Sequence, residues 1–176
     1  LSVPPDQLLI MNLPTWITVS RLLGAPLVLL LLLDPTPRRA WWAVSIFLVA
    51  ASTDWVDGYL ARRLDQVTEL GKFLDPLVDK LLVLAPLLAL VELNQVPAWG
   101  VFLILVRELA ISGWRVNPSF QAQSVPGANL WGKAKTVLQI TAVAFLLAPL
   151  PAVWQPVGLV LFWLSVLLTW VSGALY

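Results

Sequence analysis

The chain has 176 residues, of which 59% are hydrophobic and only 12% charged, and its mean hydropathy is +0.84. A soluble domain carries about 25% charged residues, so the composition excludes an ordinary water-soluble globule and indicates an integral membrane protein. The net charge of +1 argues against a polyelectrolyte partner such as nucleic acid. With no Cys and no His, disulfide and thiolate chemistry are excluded, and acid–base work falls to carboxylates, Lys or Tyr. Any metal site must then be built from oxygen, which favours Mg²⁺ or Mn²⁺ over zinc.

The amino end lacks a basic region and a small-residue cleavage site, so no cleaved leader is expected. Met11 before "NLPTW" reads as a natural start, and residues 1–10 carry no weight in the reading. The segment within 1–14 reads as a short amphipathic stretch lying in the membrane interface. Six apolar segments then follow, near 15–34, 40–62, 72–93, 97–116, 132–149 and 152–174. They predict an all-α, polytopic protein with six transmembrane helices, forming one catalytic membrane domain over residues 1–176. "DPTPRR" (34–39) and "NQVP" (94–97) read as tight turns, and 117–132 as the one long polar loop. The loops after the second and fourth segments hold Arg62, Arg63, Lys72, Arg115 and Lys133, against Arg38 and Arg39 on the other side. The positive-inside rule then places both termini in the cytoplasm. Trp16, Trp99 and Trp131 fall at segment starts, as interfacial anchors do.

Four aspartates sit between two of the greasiest stretches. On a helix, Asp54, Asp57, Gly58, Ala61 and Arg62 lie at offsets 0, 3, 4, 7 and 8, one continuous stripe. Gly71, Asp75 and Asp79, at offsets 0, 4 and 8, share a face of the next segment. Each Asp costs roughly 2.5–3.5 kcal/mol to insert at a helix centre, so four facing lipid would cost about 10 kcal/mol or more. Divalent cations relieve that cost and the mutual repulsion. Gly58, Ala61 and Gly71 clear side-chain bulk beside the carboxylates, and Arg62 supplies a cation suited to phosphate. Together they describe a pocket for a diphosphate ligand. Taken singly, Asp54 after Ser52 and Thr53, or Asp75 before Pro76, reads equally well as a helix cap.

The stretch from Asp54 to Asp79 matches D-x2-D-G-x2-A-R-x8-G-x3-D-x3-D at every fixed position. This resembles the CDP-alcohol phosphotransferase family. The resemblance implies a six-span helical membrane enzyme, usually a homodimer, that displaces CMP from a CDP-linked lipid or alcohol. It implies Asp54, Asp57, Asp75 and Asp79 as metal ligands, with Asp79 also the base. It further implies Asp54, Gly58, Ala61, Arg62, Gly71 and Asp75 as the CDP-binding face. Elementary chemistry agrees. A diphosphate is a poor electrophile until its charge is neutralised, and without His a carboxylate is the natural base for an attacking hydroxyl.

"MNLPTWITVSRLL", "GKFLDPLVDKLLV", "RELAISGWR" and "GKAKTVLQ" are similar to the branch of that family that uses glycerol 3-phosphate. That branch takes CDP-diacylglycerol as donor and gives phosphatidylglycerol phosphate and CMP. A soluble dianion needs cations, and Arg21, Arg107, Arg115, Lys133 and Lys135 are the candidates for its phosphate, all expected on the cytoplasmic side. Other readings exist for three of them: Lys133 on anionic headgroups, Arg21 snorkelling, and Arg107 paired with an acid such as Glu108. Where the family has "SGLRE", this chain has "SGWRV", with Val116 in place of the acid. A family variant with phosphatidylglycerol as acceptor, in the manner of a cardiolipin synthase, is the nearest alternative. A cation transporter or channel is a distant one, because transport does not require Gly58, Ala61, Arg62 and Gly71 at these spacings.

Overall fold

The computed structural model describes residues 13–64, 69–116 and 128–174, with side chains over 20–53, 77–113 and 132–174. These residues form six α-helices and no strand: α1 (Leu13–Leu32), α2 (Pro37–Leu64), α3 (Glu69–Glu92), α4 (Ala98–Val116), α5 (Ala128–Leu147) and α6 (Gln155–Ala174). A single 3-10 turn, Ala152–Trp154, leads into α6. The all-α expectation holds, and each helix overlies one apolar segment. The largest shift is at α5, which begins at Ala128 and not near 132. The amino-terminal interfacial segment up to residue 12 and the loop over 117–127 lie outside the described residues.

The chain divides into two compact units, Leu1–Pro86 and Leu87–Tyr176. In the first, a four-residue connection lets α2 fold back along α1. Asp34 and Arg39 close this turn through a 2.8 Å ion pair, and Arg39 also donates to the Asp34 carbonyl at 3.1 Å. Ala25, Val28 and Leu32 of α1 and Ala40, Ala43, Val44, Phe47 and Ala50 of α2 form the buried stripes. Half of them are alanines, which lets the two backbones approach. A Cβ at Gly24 would meet that of Ala50 at 3.8 Å, ordinary contact.

In the second unit α6 packs against both α4 and α5. Glycines set the separation: a Cβ at Gly100 would lie 2.8 Å from the Phe162 ring, and one at Gly158 would lie 2.5 Å from Leu146 Cδ2. The connection before α4 turns on Asn94, whose φ of 55° is left-handed, and the amides of Gln95 and Val96 return to the Leu90 carbonyl at 2.9 and 3.3 Å. Asn tolerates this conformation better than most side chains.

The burial pattern of α6 is inverted relative to a helix in water. Its buried face carries Gly158, Ser165, Thr169 and Ser172 beside Phe162 and Val166, while Val160, Leu164, Leu167, Trp170 and Val171 are exposed. Small and hydroxylated residues at helix contacts, with large apolar ones outside, match packing in lipid. Among the described residues, Ala152–Ala174, at 23 residues and mean hydropathy 2.0, is the one helical stretch long and apolar enough to cross a membrane. A shorter apolar helix runs over Ser20–Leu32.

Candidate functional site

The backbone settles one ambiguity of the acidic motif. α2 begins at Pro37 and α3 at Glu69, so Asp54 and Asp75 lie well inside continuous helices. Neither caps a helix start. Upstream of Asp54, the Ser52 hydroxyl donates to the Leu48 carbonyl at 2.7 Å, and that of Thr53 to the Ala50 carbonyl at 2.8 Å, so both serve their own helix. A helical backbone through Asp54, Asp57, Gly58, Ala61 and Arg62, and through Gly71, Asp75 and Asp79, gives each set the period that puts it on one face. The side chains of all these except Asp79 lie outside the described residues. Among the described residues no cluster of three or more His, Cys, Asp or Glu is gathered. One turn before Asp54, a shallow cavity of about 280 Å³ is lined by Leu48, Val49, Ser52 and Thr53. With both hydroxyls committed to the helix, its lining suits hydrocarbon better than phosphate.

Asp79 is the one motif carboxylate whose surroundings are visible. Its Oδ1 accepts from Arg21 Nη1 at 2.8 Å, which ties α1 to α3. Arg21 is buried, at 2% exposure, whereas the Asp79 side chain is 42% exposed. Arg21 therefore does not snorkel to an interface; it lies inside the packed helices and directs its charge at the carboxylate.

The second unit holds a separate cluster of cations. Arg107 of α4 donates through Nη1 to Glu108 Oε1 at 3.2 Å and through Nη2 to Ser172 Oγ of α6 at 2.9 Å. Lys135 of α5 donates through Nζ to the same Glu108 Oε1. Arg107 and Lys135 are each 6% exposed. One carboxylate thus joins cations from two helices, and α6 contributes a hydroxyl. Lys133, two residues before Lys135, points to the exposed side of α5. The side chain of Arg115 lies outside the described residues.

A model of the CDP-alcohol phosphatidyltransferase family matches residues 11–171. The chain belongs to that family. Among relatives, a CDP-diacylglycerol–glycerol-3-phosphate 3-phosphatidyltransferase of Bacillus subtilis (strain 168) is 41% identical over 177 residues, covering 92% of this chain and 91% of the relative. Proteins of the same name from Pseudomonas fluorescens and Rickettsia bellii (strain RML369-C) are 41% and 34% identical. They cover 81% and 94% of this chain, and 75% and 93% of their own lengths. The family membership expected from the motif is met, and this CDP-alcohol phosphatidyltransferase is a transferase by family.

Sequence reasoning about this phosphatidyltransferase weighed Glu108 as a partner of Arg107, and the structure brings the two together. It did not foresee that Lys135 shares the carboxylate, that Asp79 pairs with Arg21, or that Ser172 reaches Arg107. A signal for Ser172 was present: Ser165, Thr169 and Ser172 recur at offsets 0, 4 and 7 in an otherwise apolar helix.

Proposed function

We propose that this chain transfers a phosphatidyl group from CDP-diacylglycerol to glycerol 3-phosphate, giving phosphatidylglycerol phosphate and CMP. The observation that carries the proposal is the 41% identity to the Bacillus subtilis enzyme of that name across nine-tenths of both chains. In this reading the protein is a single six-span membrane domain, acting as a homodimer in a bacterial-type cytoplasmic membrane. Its termini and active site face the cytoplasm. The inverted burial of α6 and the Lys and Arg distribution of the loops support the membrane setting.

Asp54, Asp57, Asp75 and Asp79 would hold one or two divalent cations, Mg²⁺ or Mn²⁺. The donor set fits: every candidate ligand is a carboxylate oxygen, the choice of a hard cation. A bound cation neutralises the diphosphate and the departing CMP. Asp54, Gly58, Ala61, Arg62, Gly71 and Asp75 form the face that takes the CDP group, with the glycines and alanine making room and Arg62 meeting phosphate oxygens.

The acceptor hydroxyl attacks the phosphorus that carries the diacylglycerol. A new O–P bond forms, the P–O bond to CMP breaks, and the hydroxyl proton passes to Asp79. Arg21 fixes the orientation of that carboxylate. The candidates for the acceptor's phosphate are Arg107, Arg115, Lys133 and Lys135 in the second unit and Arg21 in the first, whose five N–H donors allow it to serve Asp79 as well.

Product analysis of the purified protein with labelled CDP-diacylglycerol and a panel of acceptors tests the proposal. Phosphatidylglycerol phosphate and CMP are expected with glycerol 3-phosphate. CMP release with phosphatidylglycerol as sole acceptor, and none with glycerol 3-phosphate, would overturn the acceptor assignment.

A further inference from the structure

We infer that Ser172 and Gly173, in the last turn of α6, are positioning residues that set the direction of the Arg107 guanidinium. The inference rests on the reading of Arg107 as a group that takes the acceptor's phosphate, and it assigns α6 a part in acceptor selection.

Three contacts carry it. Arg107 Nη2 donates to Ser172 Oγ at 2.9 Å, with both residues buried. The Ser172 hydroxyl itself donates to the Thr169 carbonyl at 3.0 Å. Its proton is thereby committed to its own helix, and its lone pairs are left to accept from the guanidinium. Beside it, a Cβ at Gly173 would lie 3.0 Å from Arg107 Nε, 3.3 Å from Cγ and 3.7 Å from Cδ. The α6 backbone thus lies close enough to the arginine that a side chain at this position would push on it.

The Glu108 contact cannot set this direction alone. Residues at i and i+1 of a helix project about 100° apart and do not face each other. The 3.2 Å pair between Arg107 and Glu108 forms only when both side chains bend toward one another. Ser172 and Gly173, at 65 and 66 residues' remove, supply an outside constraint on the bend. A planar guanidinium held at Nη2 and along its stem presents a defined edge, which is what bidentate recognition of a phosphate requires.

The test is steady-state kinetics on purified protein, with glycerol 3-phosphate and CDP-diacylglycerol each varied, beside thermal unfolding of the same samples. Ser172→Ala is expected to raise KM for glycerol 3-phosphate about fivefold or more, with KM for CDP-diacylglycerol changed less than about twofold. Gly173→Val is expected to raise the same constant at least as much. In an Arg107→Lys background, Ser172→Ala should add less than about a further twofold, because the group that Ser172 orients is gone. A Ser172→Ala protein whose two KM values move together, or whose only change is a lower unfolding midpoint, would overturn the inference and leave the acceptor reading standing. A wild type that releases CMP with other acceptors but not with glycerol 3-phosphate would overturn both.

Discussion

Arg21 and Asp79, 58 residues apart, meet in a 2.8 Å hydrogen bond between Nη1 and Oδ1. The donor is buried and the acceptor side chain is 42% exposed. That asymmetry makes the carboxylate the accessible member, with its back held by an ion it does not share with solvent. Hydrogen bonds to charged groups contribute about 1.5–3 kcal/mol. Arg21→Ala is therefore expected to lower kcat roughly 10- to 100-fold, with Arg21→Lys intermediate, as measured by CMP release. Asp79→Asn should nearly abolish turnover, and at saturating glycerol 3-phosphate the double variant Arg21→Ala/Asp79→Asn should be no slower than Asp79→Asn alone.

Glu108 answers two buried cations at once. Its replacement by Gln leaves Arg107 and Lys135 without their shared carboxylate in a packed interior. Breaking a buried pair from one side costs about 3 kcal/mol, so Glu108→Gln is expected to lower the thermal midpoint in detergent by roughly 5–10 °C. The Asp34–Arg39 pair is the contrast, with side chains 81% and 49% exposed. Asp34→Ala should change stability by less than about 1 kcal/mol.

Gly100 and Gly158 differ in what an added methyl would meet. The nearer approach is at Gly158, 2.5 Å from Leu146 Cδ2 and 2.9 Å from its Cγ, but a turn about the Leu146 Cα–Cβ bond moves both atoms. At Gly100 the obstacle is the Phe162 ring, which lies edge-on to Trp163 at 5.2 Å between centroids, and Trp163 in turn lies 4.4 Å from Trp99. Gly100→Ala is expected to destabilise by about 1–3 kcal/mol and Gly158→Ala by less, the reverse of the order that distance alone would give. Thermal unfolding of the two variants decides it.

Removal of divalent ions provides a fourth test. Chelation should stop CMP release, and added Mg²⁺ or Mn²⁺ should restore it. Asp57→Asn should raise the metal concentration needed for half-maximal rate about tenfold or more. A rate indifferent to chelation would remove the acidic stripes from the chemistry.

Much of this was legible along the chain because the bilayer punishes irregular backbone. Apolar runs, broken by Pro, Gly and charge, marked all six helices. α5 begins at Ala128, four residues ahead of the apolar segment near 132, because hydropathy marks the apolar run whereas backbone hydrogen bonding starts before it. Local chemistry left Asp54 and Asp75 divided between cap and ligand, and only the continuous helices around them decide against capping. The partnership of Arg107 with Glu108 was foreseeable from adjacency. Those of Lys135 with Glu108 and of Arg21 with Asp79 join different helices, 27 and 58 residues apart, and no periodicity announces them. The crossing of a membrane by composition and length is met in one described helix, Ala152–Ala174.

The inside-out character of α6 reverses the usual expectation about which positions tolerate change. Where lipid offers a leucine as good a home as any protein interior, greasy bulk on the outer face adds little to cohesion, and exchanges among Leu164, Leu167 and Val171 should pass almost unnoticed. The modest positions, Gly158, Ser165, Thr169 and Ser172, let neighbouring backbones come within reach, so a single large aliphatic graft there would wedge the bundle apart.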